Sequence, residues 1–120
     1  MDIRDLFRDA TDVIALPAGE PLFRKGDPGD RMFVVLEGEA YLVVDDRVVE
    51  IAGPGSVIGE MGLIENQPRG GDAFTRTPCR LAPVDAARFE ALVRQMPEFA
   101  MHLLRLLSER LRRTTQRLDT

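Results

Sequence analysis

The chain has 120 residues, enough for one domain with a single core. With 44% hydrophobic and 30% charged residues it is too apolar for a disordered segment, and no run nears the ~20 apolar residues of a membrane span. The net charge is −4, and the acidic, mixed opening "MDIRDLFRDATD" is not a secretory signal. In chain order, residues 2–9 predict a short helix, with Ile3, Leu6 and Phe7 at helical spacing. "VIALPAGEPLF" then gives two short apolar runs punctuated by Pro17, Gly19 and Pro21, as in strands. "RKGDPGDR" (24–31) is a turn cluster. "MFVVLEGEAYLVVDDRVVEI" (32–51) is the strongest β signal, with a hairpin tip at Asp45-Asp46. Gly38 inside that run predicts a bulge or corner.

"AGPGS" (52–56) is a further turn, and "DAFTRTPCRLAPV" (72–84) reads as two strands meeting near Pro78. Short strands with Gly/Pro turns at this rhythm indicate a small β-barrel or jelly roll. From Asp85, a good N-cap, the period switches to 3.6. Phe89, Leu92, Val93 and Met96 form one stripe, and Pro97 restarts the helix. Ala100, Leu104, Leu107, Leu111, Thr114 and Leu118 follow as a heptad seam with one polar member. Such a seam can pack on the barrel or pair with its copy in a second chain, and Phe99, Leu103 and Leu106 widen it enough for both. The expected organisation is one unit: an N-terminal helix (1–12), a β-barrel (13–84) and two C-terminal helices (85–120). Residues 88–120 carry 7 basic against 4 acidic side chains, but these arginines alternate with glutamates around the helix. A solvated face fits them better than a nucleic-acid surface.

The chemistry concentrates in "VIGEMGLIENQPRGG", residues 57–71. Gly59 ends a strand and allows close approach to the backbone. "EMGLIEN" has the length of one or two helical turns, whose first amides lack partners within the helix and favour an anion. Arg69 offers a planar fork for a phosphate, and Gly70 and Gly71 leave no bulk beside it. Glu60 would repel a phosphate but can accept from sugar hydroxyls. A carboxylate, a guanidinium and free amides together suit a nucleotide monophosphate. The competing reading is a Glu60–Arg69 salt bridge that merely holds a loop. No metal site is expected, because His102 is the only histidine and no Cys/His cluster exists. An enzyme of the cupin kind is disfavoured for the same reason. The single cysteine, Cys79, excludes an internal disulfide and suits a reduced, cytoplasmic setting.

"IGEMGLIENQPRGG" resembles the phosphate-binding cassette of cyclic nucleotide-binding domains, those of the catabolite activator protein and the protein kinase A regulatory subunits. "GEPLFRKGDPGDRMFVVLEGEAYLVV" resembles the family's opening strands, and "VDAARFEALVRQMPEFAMHLLRLLSERLRRTTQRL" its C-terminal helices. The resemblance implies a mainly β fold with flanking helices: a jelly-roll barrel, with a cassette at 58–72 containing a short helix. It implies that Glu60 accepts from the ribose 2′-hydroxyl and Arg69 pairs with the cyclic phosphate. Gly59, Met61, Gly70 and Gly71 would line the pocket, and Thr114 and Thr115 would reach the base. Cyclic AMP is the expected ligand and cyclic GMP the less favoured one, since no threonine follows Arg69. Asp72 stands where relatives carry Ser or Thr, and Gly70 lacks a hydroxyl. These departures support an alternative, a degenerate interaction or oligomerisation module of the same fold. The expected role is a sensor without catalysis or cofactor. It would act through a homodimer or an unidentified effector protein, without direct nucleic-acid or membrane binding.

Overall fold

A computed structural model describes residues 2–118; of Arg117 and Leu118 only the backbone is described, so the last seam position lies outside the described side chains. Eight strands form two four-stranded sheets in which every pairing is antiparallel. One sheet contains β1 (Ile14–Leu16), β8 (Cys79–Asp85), β3 (Arg31–Glu37) and β6 (Val57–Ile58), in that order. The other contains β2 (Pro21–Phe23), β7 (Asp72–Thr75), β4 (Ala40–Val44) and β5 (Arg47–Ala52). Helices α1 (Glu60–Glu65), α2 (Ala86–Gln95) and α3 (Pro97–Leu118) complete the fold.

β3 explains why its sequence is apolar without alternation. Phe33 and Val35 join Leu81, Cys79 and Ile58 against Phe23, Ala40, Ala52 and Ala73 of the second sheet. Met32 and Val34 face the other way, onto Phe99 and Leu103 of α3 and onto Ile3 and Phe7. A strand covered on both faces needs apolar residues at both parities. β3 ends at Glu37, and Gly38 (φ 85) turns the chain into β4 of the other sheet, so the expected corner is present. A side chain there would run into the Pro78 carbonyl. Asp45 and Asp46 both adopt positive φ between paired Val44 and Arg47, a two-residue turn of the type that matches strand twist.

The helical ends follow their sequence signals. The Asp85 carboxylate accepts from the Arg88 amide at 2.8 Å and caps α2. Pro97 opens α3. The N-terminal segment is a 3-10 helix, Ile3–Phe7, shorter and tighter than the helix expected over 2–9. Its amides bond three residues back, as Asp5 does to Asp2 and Arg8 to Asp5, because so few residues cannot offset the cost of an α-helical nucleus. On α3, Phe99 and Leu103 are buried, whereas the seam residues Leu104 and Leu111 stay 58% and 68% exposed. No helix among the described residues is long and apolar enough to cross a membrane.

Candidate functional site

A cavity of about 240 Å³ opens between β4, β5, α1 and α3. Its wall includes Gly59, Glu60, Met61, Arg69, Gly70 and Gly71, all from the stretch singled out in the sequence. It also includes Phe23, Glu50 and Arg110, which the sequence reading did not select. Thr114 and Thr115 do not line it. Both are exposed, and their hydroxyls donate to the Arg110 and Leu111 carbonyls of their own helix at 3.0 Å. The α3 residue that reaches the cavity is Arg110, one turn earlier on the face of Thr114.

Arg69 is built in from several directions. Its amide donates to the Asp27 carbonyl at 2.8 Å, and its own carbonyl accepts from Gly26 at 2.9 Å. The turn at 24–31 therefore fixes its backbone. That turn can approach because Gly29 meets Gly62 of α1 with no side chain between them. The guanidinium lies 4.1 Å from the centre of the Phe23 ring, a cation–π arrangement. One terminal nitrogen donates to the Gly59 carbonyl at 2.7 Å and the other to the Arg31 carbonyl. Arg69 is only 5% exposed, and its Nε has no partner. Burial pulls its pKa below the ordinary arginine value, against the opposing pull of Asp30, Asp27 and Glu60. The residue stays a cation, because arginine cannot be deprotonated in a protein.

Gly59 connects the two charges. It sits at φ 84 as the N-cap of α1, a conformation open to glycine at little cost. A Cβ there would lie 2.7 Å from Arg69 Nη1. Glu60, the next residue, is 5% exposed. The Glu60–Arg69 salt bridge of the competing reading is not formed. Among the described residues, the salt bridge of Glu60 is with Arg110, whose Nη1 is 2.5 Å from Oε1. Arg110 also donates to Ser56 Oγ at 3.1 Å and to the Val57 carbonyl at 2.5 Å. Glu50, paired across the sheet with Leu42, approaches Arg110 at 3.9 Å and receives Arg113 at 2.8 Å.

Gly70 and Gly71 differ sharply. A Cβ on Gly70 would meet nothing within 4 Å, while one on Gly71 would lie 2.5 Å from the Val43 carbonyl. Asp72 is turned away from the cavity: its Oδ1 accepts from the Lys25 amide at 2.7 Å, and it forms no part of the lining. Cys79 is buried among strand residues, and that burial raises its pKa, which suits an inert core thiol. No cluster of potential metal ligands occurs among the described residues.

The family model for the cyclic nucleotide-binding domain matches residues 13–96. The chain belongs to that family. It is 32% identical over 110 residues to a CRP-like cAMP-activated global transcriptional regulator of Mycobacterium tuberculosis, a match covering 88% of this chain and 49% of the regulator. The chain thus spans about half the length of this relative. The catabolite activator protein of Thermus thermophilus superposes with a TM-score of 0.78 at 28% identity, covering 95% of this chain and 61% of that one. The regulatory domain of Toxoplasma gondii PKA, crystallised with cAMP, gives a TM-score of 0.61 at 31% identity over 67% of this chain and 32% of its own. The two sheets with their flanking helices are the jelly-roll fold of these domains.

Proposed function

We propose that the cavity binds a 3′,5′-cyclic purine nucleotide, cyclic AMP in preference to cyclic GMP. The observation that carries the reading is Arg69: a buried cation at the cavity wall, held by neutral acceptors and with Nε unpartnered. Such a group gains most from a ligand that brings a single negative charge. Gly70 leaves room for the phosphate beside Arg69, Glu60 supplies an acceptor for the ribose, and the apolar Leu42 and Val44 face the base. The relatives named for cAMP lend support, and no threonine after Arg69 offers a hydroxyl toward guanine. Thr114 and Thr115 would reach the base only through movement of α3 or from a second copy. Calorimetric titration with cyclic AMP tests the proposal, with Arg69→Ala as control. Heat that disappears in the variant supports it, and no heat at high micromolar ligand overturns it.

The output is proposed to run through α3. Leu104 and Leu111 are exposed at seam spacing beside Ala100 and Leu107, as a helix-to-helix homodimer needs. Sedimentation of wild type and Leu111→Asp decides this, since only a seam-paired dimer dissociates in the variant. A second reading, an interaction module that no longer binds nucleotide, is favoured by the ion pair Arg110 already makes with Glu60. It requires an unchanged melting temperature in millimolar cyclic AMP, because a ligand of the native state would raise it.

A further inference from the structure

Arg69 borders two cavities. One is the cavity assigned to the nucleotide. The other, of about 180 Å³, is lined by Asp27 and Asp30 together with Arg31 and Phe33. Both aspartates are exposed, and both attract the Arg69 charge. Neither forms a salt bridge with it among the described residues. The guanidinium instead donates to the Gly59 and Arg31 carbonyls and lies over the Phe23 ring, 4.1 Å from its centre. Phe23 borders both cavities as well. The ring is itself held firmly. It is 7% exposed, packs between the sheets with Val35, Ala40 and Ala73, and stacks on Phe33 with 6.5 Å between centroids and 22° between planes.

We propose that Phe23 is a positioning residue for phosphate recognition: its ring face seats the Arg69 guanidinium beside Gly59, where the charge stays free for the cyclic phosphate. The inference rests on the cyclic nucleotide reading of the cavity. An aromatic face attracts a cation through its quadrupole but carries no net charge, so the guanidinium keeps its own. A carboxylate in the same place would neutralise it. An aliphatic side chain would fill the core without attracting it. With the ring gone, Arg69 divides between this seat and the carboxylates of Asp27 and Asp30. Apparent affinity then falls with the fraction that remains seated. A residue that only fills the core acts differently: its effect follows the volume at position 23, not the electrons of the ring.

The test measures cyclic AMP affinity by calorimetry on the full chain carrying mono-, di- or trifluorinated phenylalanine at position 23, and on Phe23→Leu. Fluorine withdraws negative potential from the ring face while changing its volume little. Affinity should fall with each added fluorine and be lowest in Phe23→Leu, by about 3- to 30-fold, the range of a cation–π contact out of water. Asp27→Asn/Asp30→Asn should then restore more affinity to Phe23→Leu than it adds to wild type, because the competing partners are gone. Thermal melting follows the fold of every variant, and the fluorinated chains carry the test if Phe23→Leu proves unfolded. Affinity that ignores the number of fluorines overturns the inference alone, as does an equal effect of the aspartate pair in both backgrounds. Weaker binding in Asp27→Asn/Asp30→Asn alone also overturns it, since those carboxylates would then be what holds Arg69. A wild-type chain that binds no cyclic AMP overturns the cyclic nucleotide reading, and the inference with it.

Discussion

The two arginines at the cavity are held in opposite ways. Arg69 is surrounded by neutral partners, two backbone carbonyls and the Phe23 ring, and one nitrogen lacks a partner. Arg110 is matched by a full countercharge on Glu60, with a second on Glu50 nearby. Burying either is costly, but of the two only Arg110 is in direct salt-bridge contact; the carboxylates of Asp27, Asp30 and Glu60 act on Arg69 without forming one among the described residues. The same residue type is thus set for two tasks by its acceptors. Carbonyls hold a guanidinium in place while leaving its charge for something else. A carboxylate consumes that charge and turns it into a tether.

The largest expected effect breaks the comparison at Arg69. Arg69→Ala should weaken cyclic nucleotide binding by about 2–5 kcal/mol, the cost of truncating one partner of a desolvated charge pair. Calorimetry gives the affinity and thermal melting gives the stability, and the affinity should suffer more. Arg110→Ala should do the reverse. It leaves Glu60 buried and unpaired, and the cost to stability is expected near ~3 kcal/mol by denaturant unfolding. Adding Glu60→Gln should recover part of that loss, since the uncompensated charge is then gone. Equal stability losses in the two single variants would mean that the distinction between anchored cation and tether is wrong.

The division between local and distant signals decides how much of this was legible in the sequence. The Asp45-Asp46 hairpin, the Gly38 corner, the Asp85 cap and the Pro97 restart are all announced within a few residues of where they act. Glu60 and Arg69 share that advantage, because one short helix and one loop connect them. Phe23, Glu50 and Arg110 reach the cavity from elements far apart in sequence, and antiparallel pairing over such distances leaves no local periodicity. Glu50 did leave a trace: it is charged at a position of β5 with the parity of buried Ala52. Heptad spacing found the α3 stripe but not which flank packs inside. The sheet takes Phe99 and Leu103, and leaves Leu104 and Leu111 outside. Thr114 broke the apolar seam without facing the cavity, and neither does Thr115, named from the family resemblance, since a helical threonine can satisfy its hydroxyl on the carbonyl four residues back. The N-terminal segment was ambiguous for a simpler reason. Three apolar residues fit a period of 3.0 nearly as well as 3.6.

A smaller effect sharpens the comparison at the glycines beside Arg69. Gly71→Ala forces a methyl to within 2.5 Å of the Val43 carbonyl and 2.9 Å of Val44 Cγ2. Carbonyl and strand must shift, at a cost of about 1–3 kcal/mol. Because β4 forms the cavity wall through Leu42 and Val44, affinity should fall along with stability. A Gly71→Ala protein as stable as wild type in urea would show that the cassette sits further from β4.

Gly70 makes the opposite case. Its added Cβ would meet nothing within 4 Å, and its φ lies outside the left-handed region. Gly70→Ser should therefore change stability by no more than about 0.5 kcal/mol, as surface substitutions do. Its hydroxyl would stand in the cavity wall next to Arg69, where a phosphate anchored by the guanidinium needs further donors. A neutral donor there should add about 0.5–1.5 kcal/mol to binding of cyclic AMP, a gain of roughly two- to tenfold. The gain should vanish in the Arg69→Ala background, because a hydroxyl cannot hold a phosphate that has lost its countercharge. Additivity of the two substitutions would mean that the serine acts on another part of the ligand and that the phosphate does not lie between residues 69 and 70.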